Sequence, residues 1–71
     1  MAKIFSISEE RVIQTIRRLS RWASTNEIAN NAKMSWNTAD KALESLLARH
    51  VVKKLTRKTE KEERSLWLLN L

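Results

Sequence analysis

The chain has 71 residues and contains no Cys, Gly or Pro. Without cysteine it can form neither a disulfide framework nor a thiolate metal site, and no apolar run reaches the roughly 20 residues of a membrane-spanning helix. Fourteen Lys and Arg against eight Asp and Glu give a net charge of +6, which favours a polyanionic partner. We therefore expect one small cytoplasmic domain over residues 1–71, with no cofactor, metal ion or small-molecule ligand.

The first predicted helix covers about residues 8–20. Ser8 is a suitable N-cap, and Glu9 and Glu10 fall in the first turn, where the helix dipole favours anions. The preceding residues 3–7, KIFSI, form either a short strand or an apolar lead-in. One helical face then carries the apolar residues Val12, Ile13, Ile16 and Leu19.

Two further helices follow a short break at Trp22 and Ala23. Ser24 and Glu27 have the spacing of a capping box, with Thr25 as a second possible cap, so the second helix covers about 25–32. Ser35 precedes the third, about 36–49. It ends at His50, a residue that tolerates the left-handed conformation common after a helix. The predicted buried face of the third helix consists of Ala39, Ala42, Leu43, Leu46 and His50.

The sequence changes character from Val51 onwards. Two runs with strand-like composition flank the polar stretch TEKEE, which predicts a β-hairpin over about 51–69. Because the chain has no glycine, we expect its loop to be longer than two residues, and mobile. The hairpin carries Lys53, Lys54, Arg57, Lys58, Lys61 and Arg64, interleaved with Glu60, Glu62 and Glu63.

Residues 24–49 resemble the helix-turn-helix of winged-helix proteins, broadly of the MarR type. The resemblance implies an α+β, mainly α, fold, a three-helix winged helix-turn-helix with a C-terminal β-hairpin wing, together with a prokaryotic source. His50 departs from the pattern, since many members have Gly there. The matching positions are Ile28, Ala29, Ala32, Ser35, Thr38, Ala42, Leu43 and Leu46, followed by Val51 and Val52 before the basic hairpin.

The third helix also has a flank without acidic residues, whereas Asp40 and Glu44 lie on the other flank. A helix in the major groove must keep carboxylates away from phosphates, and Asn, Lys, Ser and Thr side chains can reach base edges. A solvated polar face is the alternative. The predicted base contacts are Asn37, Thr38 and Lys41, with Ser45 and Arg49 at the margin.

Three further groups complete the predicted contacts. Backbone N–H groups at helix starts suit a phosphate oxygen, although capping alone also explains these residues. In winged-helix proteins the wing tip often meets phosphate or the minor groove, and the resemblance implies the same role for cationic side chains of this hairpin, unless cross-strand ion pairs occupy them. Trp22 and Trp67 are predicted core residues, whereas Trp36 either packs beneath the turn or meets a thymine methyl or sugar. The phosphate contacts are Ser35, Thr25 and Asn26, and the wing contacts are Arg57, Lys58 and Lys61.

These features predict a DNA-binding protein, a transcriptional regulator whose partner is double-stranded DNA. With one His and no glycine-rich phosphate loop, the chain is not expected to be an enzyme. A homodimer through the apolar terminal segments, residues 66–71 with Ile4, Phe5 and Ile7, is a further expectation. The alternative is a winged-helix protein-interaction or RNA-binding module of a larger replication, transcription or ribosomal assembly.

Overall fold

The structure is a computed structural model that describes residues 4–70. Its elements in chain order are α1 (Ile7–Leu19), β1 (Ala23–Ser24), α2 (Thr25–Ala32), α3 (Trp36–Ala48), β2 (Val52–Lys58) and β3 (Glu63–Leu69). The strands form one antiparallel sheet in the order β1-β3-β2. This is a winged-helix fold, so the predicted three helices and C-terminal hairpin are confirmed. No helix among residues 4–70 is long and apolar enough to cross a membrane.

The N-cap of helix α1 lies two residues before the predicted one. Ser6, not Ser8, is the N-cap: its Oγ accepts from the Glu9 backbone N–H at 3.1 Å, and its own N–H donates to Glu9 Oε1 at 2.9 Å. This reciprocal pair is a capping box. The prediction of Ser8 was therefore wrong, and residues 4–6 form a lead-in rather than a strand; residue 3 lies outside the described range.

Trp67 lies at the centre of the hydrophobic core. Its side chain is fully buried, and its indole Nε1–H donates to Thr25 Oγ1 at 2.8 Å. Ala23 lies opposite Trp67 in the register of β1 and β3, so the predicted break at residues 22–23 contains a short strand. Trp67 is confirmed as a core residue, whereas Trp22 is half-buried. The core around Trp67 contains Val12, Ile16, Ile28, Leu43, Leu46 and Val52.

His50 marks the exit from α3 to the hairpin. Its φ of 61° is left-handed, as predicted, but its side chain is exposed, so its placement on the buried face was wrong. The left-handed residue turns the chain away from the helix, and Val51 N–H closes this turn on Leu46 O at 2.9 Å. At the other end of β2 the loop has four residues, 59–62, and is longer than a two-residue turn, as predicted.

Candidate nucleic-acid interface

One side of α3 remains open to solvent. Asn37, Lys41, Glu44 and Ala48 are exposed and follow one another at spacings of four, three and four residues, which places them in one line along the helix. We call these four residues the open face of α3. The opposite side is buried through Ala39, Ala42, Leu43 and Leu46.

The start of α3 is held by its N-cap. Ser35 Oγ accepts from Thr38 N–H at 3.2 Å and donates to Thr38 Oγ1 at 2.8 Å. Both residues are exposed. Thr38 and Lys41 also line a shallow cleft between α3 and the first turn of α1, together with Ser8. Of the predicted base contacts, Asn37, Thr38 and Lys41 are thus accessible at the N-terminal half of α3.

Ser45 and Arg49 instead connect α3 with the start of α1. Ser45 Oγ donates to Glu9 Oε2 at 2.9 Å, and Arg49 Nη1 lies 3.7 Å from the same oxygen. Arg49 also donates to Ile4 O at 3.2 Å, and its guanidinium carbon lies 4.4 Å from the centre of the Phe5 ring. The prediction that this flank carries no acid was wrong for the folded protein, since Glu9 of α1 lies against it. Ser45 and Arg49 are exposed, and their contact with DNA stays a prediction, although both are already in contact with Glu9.

The two predicted contacts at the start of α2 differ in accessibility. Thr25 is buried and its hydroxyl accepts from Trp67 Nε1–H, but the predicted phosphate contact uses the backbone N–H and stays a prediction. Asn26 is exposed. Ser24 caps the helix by accepting from Glu27 N–H at 3.1 Å. The Glu27 carboxylate, however, pairs with Arg21 instead of completing a capping box.

Trp36 lies at the edge of a second cleft, which is bounded by the starts of α2 and α3 and by the beginning of β3. Half of its surface is exposed. Asn26 and Asp40 line the same cleft. Trp36 is therefore only partly packed, and its contact with a thymine methyl or sugar stays a prediction.

The register of the hairpin separates its cations between two faces. Alternate residues of a strand point to opposite faces, and Lys54 lies opposite Trp67, so Lys54 and Lys58 lie on the face turned towards the helices. Arg57 lies on the other face, opposite Arg64. Lys61 is at the tip. Within residues 4–70, no salt bridge is formed by Arg57, Lys58 or Lys61, whereas Arg64 Nε pairs with Glu62 at 2.8 Å. Cross-strand ion pairs therefore do not occupy the three predicted wing contacts.

The prediction that Glu44 lies on the flank opposite Asn37 and Lys41 was wrong, because all three are exposed in one line on the open face. The partner of Glu44 was not predicted at all. Lys54 Nζ lies 3.2 Å from Glu44 Oε1 and 5.2 Å from the centre of the Trp67 ring. The helical spacing of Glu44 from Asn37 and Lys41 could have indicated its position. Its partner Lys54 could not be identified from the sequence, because only the fold brings β2 against α3.

Glu9 is the buried acid of this region. The Ser6 backbone N–H, assisted by the Ser45 and Ser6 hydroxyls and by Arg49, holds the pKa of Glu9 below its usual value of 4.5, although burial acts in the opposite direction. Each of these donors stabilises the charged form. The ionised carboxylate thus joins the lead-in, α1 and α3, and fixes how α1 sits beside the open face.

Replacing Glu9 by Gln should lower the free energy of unfolding at pH 7 by about 1 kcal/mol, because charge-assisted hydrogen bonds are lost. For a domain of this size that corresponds to a decrease in Tm of about 4–8 °C. Because the folded pKa is lowered, this contribution is complete above pH 4.5 and is lost as the pH falls through the folded pKa. The difference in Tm between the wild type and Glu9→Gln should therefore become smaller at acidic pH. Thermal melts followed by circular dichroism at pH 7 and at about pH 3 measure it.

The matched control is Glu10→Gln, which removes an exposed carboxylate from the same helical turn. It should change Tm little at either pH. An equal effect of the two substitutions would show that the Glu9 contacts do not hold α1 against α3.

Comparison with known proteins gives one matching family model and several solved structures with a similar fold. A family model described as "Family of unknown function (DUF7342)" matches residues 7–65, and comparison with curated proteins gives no match. A possible transcriptional regulator from Methanosarcina mazei Go1 superposes with a TM-score of 0.82 at 10% identity, over 92% of this chain and 56% of that one.

Residues 4–70 contain no cluster of three His, Cys, Asp or Glu side chains that could hold a metal ion.

Lactococcus lactis ZitR, a zinc-responsive MarR family member, has a TM-score of 0.68 at 22% identity, over 96% of this chain and 44% of that one. Wild-type ZitR in complex with DNA has a TM-score of 0.66 at 26% identity, over the same shares. The winged-helix fold of MarR regulators is thus shared by this chain. The chain spans about half the length of the solved structures it matches.

Proposed function

We propose that this chain, which belongs to the DUF7342 family of unknown function, is a DNA-binding protein and a transcriptional regulator. It places α3 in the major groove and the hairpin of β2 and β3 on the flanking backbone. The observation that carries the proposal is the exposed N-terminal half of α3, with Asn37, Thr38 and Lys41. Beside it lies a hairpin in which, among the described residues, Arg57, Lys58 and Lys61 form no salt bridge. The likeness to ZitR in its DNA complex supports it.

Each accessible residue has a chemical role in this proposal. Asn37 is suited to bidentate pairing with adenine and Lys41 to a guanine edge, while the Thr38 hydroxyl can serve as donor or acceptor. Ser35 and Asn26 stand at helix starts, where backbone N–H groups favour a phosphate. Trp36 adds an apolar contact at the edge of the groove. Arg57, Lys58 and Lys61 neutralise phosphates beside the site.

Titration of a labelled duplex at two salt concentrations tests the proposal. Each neutralised phosphate contributes about 0.9 to the log–log slope. With the three wing cations as phosphate contacts, affinity should fall by roughly 40-fold between 50 and 200 mM salt. Weak binding that does not respond to salt would contradict the proposal.

A second candidate function, binding of a protein or RNA within a larger assembly, is favoured by one surface. The face of the sheet that points away from the helices carries Leu55, which is 44% exposed, together with half-buried Leu66 and Leu68. Apolar side chains grouped on a surface favour protein contacts. The same titration separates the candidates when an RNA hairpin is run beside the DNA duplex.

The proposed regulator forms a homodimer through its apolar terminal segments. Ile4 is 87% and Ile7 74% exposed, and Leu66 and Leu68 belong to the other segment; residue 71 lies outside the described range. Burying such side chains between two copies is favourable. A dimer would also present two copies of α3 to a palindromic site.

Replacing Ile7 by Gln should shift the protein from dimer to monomer in sedimentation velocity, because it places a polar group in the proposed interface. Trp36→Gln is the control, since it makes the same type of change at an exposed apolar residue outside the terminal segments. A wild-type protein that stays monomeric at high concentration, or an equal effect of both substitutions, would contradict the dimer proposal.

A further inference from the structure

The open face of α3 contains one acidic residue, Glu44. It follows Lys41 by three residues and Asn37 by seven, and 49% of its side chain is exposed. Asp40, in contrast, is half-buried and lines the cleft towards β3. If α3 enters the major groove with Asn37 and Lys41 against the bases, Glu44 enters with them.

Lys54 fixes the Glu44 side chain from the neighbouring strand. Its Nζ donates to Glu44 Oε1 at 3.2 Å and lies over the Trp67 ring at 5.2 Å. Trp67 is in turn fully buried and bonded to Thr25. The Lys54 ammonium group is therefore in contact with both the buried Trp67 ring and the Glu44 carboxylate.

This pairing leaves Glu44 with acceptor capacity. Among residues 4–70, Lys54 provides its one hydrogen bond, and that bond uses Oε1. An unpaired carboxylate in the groove would be repelled by phosphates, but the adjacent ammonium group reduces this repulsion. Oε2 has no hydrogen-bond donor within the described chain, so a donor on the DNA can satisfy it.

The bases differ sharply in what they offer to a carboxylate. In the major groove guanine presents two acceptors and thymine one, whereas cytosine presents the N4 amino donor and no acceptor of its own. Adenine presents its donor beside the N7 acceptor. A fixed carboxylate oxygen consequently favours cytosine and rejects guanine and thymine.

Resting on the DNA-binding function proposed above, we propose that Glu44 is a specificity-determining residue that accepts a hydrogen bond from the N4 amino group of a cytosine. Lys54 is its positioning residue. Seven residues of helix span about 10 Å, or about three base pairs. The cytosine therefore lies about three base pairs from the base that Asn37 contacts.

Selection from a library of random duplexes, followed by sequencing, tests this inference. The proteins compared are the wild type, Glu44→Gln, Glu44→Asp, Lys54→Met and the control Glu10→Gln. Wild type should select one position with a cytosine preference of about tenfold. Glu44→Gln should lose that preference, because an amide can also donate a hydrogen bond and so tolerates bases that present an acceptor. The preferences at the other positions of the motif should stay unchanged.

The remaining variants distinguish base recognition by Glu44 from a purely structural role of this residue. Glu44→Asp keeps the charge but withdraws the carboxylate by one methylene, and should also lose the cytosine preference. Lys54→Met keeps an apolar stem over Trp67 and should weaken the preference without moving it. Glu10→Gln, an exposed acid on α1, should select the wild-type motif.

Three outcomes would overturn the inference. An unchanged motif in both Glu44 variants would show that Glu44 does not read a base. A uniform loss of affinity at all positions would assign the Glu44–Lys54 pair to wing orientation alone. If wild type enriches no duplex, the DNA-binding proposal itself fails, and this result is distinct from a motif that lacks the cytosine.

Discussion

Replacing Lys41 by Glu should lower the affinity for a selected duplex by about 100-fold. Lys41 is exposed in the middle of the open face of α3, between Asn37 and Glu44. The substitution removes a cation that reaches a base edge or phosphate, and it adds a second carboxylate to a surface that faces a polyanion. Fluorescence anisotropy with labelled duplex at fixed salt measures the effect.

Arg18→Glu is the matched control for Lys41→Glu. Both substitutions lower the net charge from +6 to +4, so a general electrostatic effect would be the same in both. Arg18, however, lies in the last turn of α1 and lines a groove with Arg11 and Lys33, and no residue of α3 lines that groove. We expect a decrease of less than about fivefold. Equal losses would contradict the proposed orientation of α3.

Replacing Trp67 by Ala should lower the free energy of unfolding by about 3–5 kcal/mol. The fully buried ring would leave a cavity, the Thr25 hydroxyl would lose its donor, and Lys54 would lose the ring beneath it. Small domains are often stable by only about 5 kcal/mol, so little folded protein should remain at 37 °C. Urea unfolding followed by circular dichroism measures the change.

Trp36→Ala is the control for this loss, since it removes the same side chain from a position that is half exposed. It should cost about 1 kcal/mol or less. If Trp36→Ala destabilised the protein as strongly as Trp67→Ala, the assignment of the core would be wrong. Because Trp36 also lies at the proposed interface, its effect on DNA affinity can be measured on folded protein.

The helices and the hairpin could be predicted because their signals are local. Apolar residues at helical spacing, serines before α2 and α3, and the change of composition after Val51 all lie within short segments. The cap of α1 was predictable too, since Ser6 and Glu9 have the capping-box spacing that Ser8 lacks. Strand β1 was not predictable, because its two residues are ordered by pairing with Trp67 and Leu66 far along the chain.

The candidate interface could be predicted only where the exposure of a residue depends on its position within a single helix. The helical wheel placed Asn37, Thr38 and Lys41 correctly on the exposed side of α3. It could not show that Glu9 from α1 occupies the flank of Ser45 and Arg49. Such contacts between elements depend on packing, and a single-helix projection contains no information about them.

The contact of the open face of α3 with DNA is tested most directly by titrating the isotope-labelled chain with a duplex and following backbone amide shifts by NMR. The account predicts the largest shifts at residues 35–41 and at the wing residues 57–61, with little change at Arg11, Arg18 and Lys33. Shifts concentrated on α1, or none at any DNA concentration in dilute buffer, would contradict it.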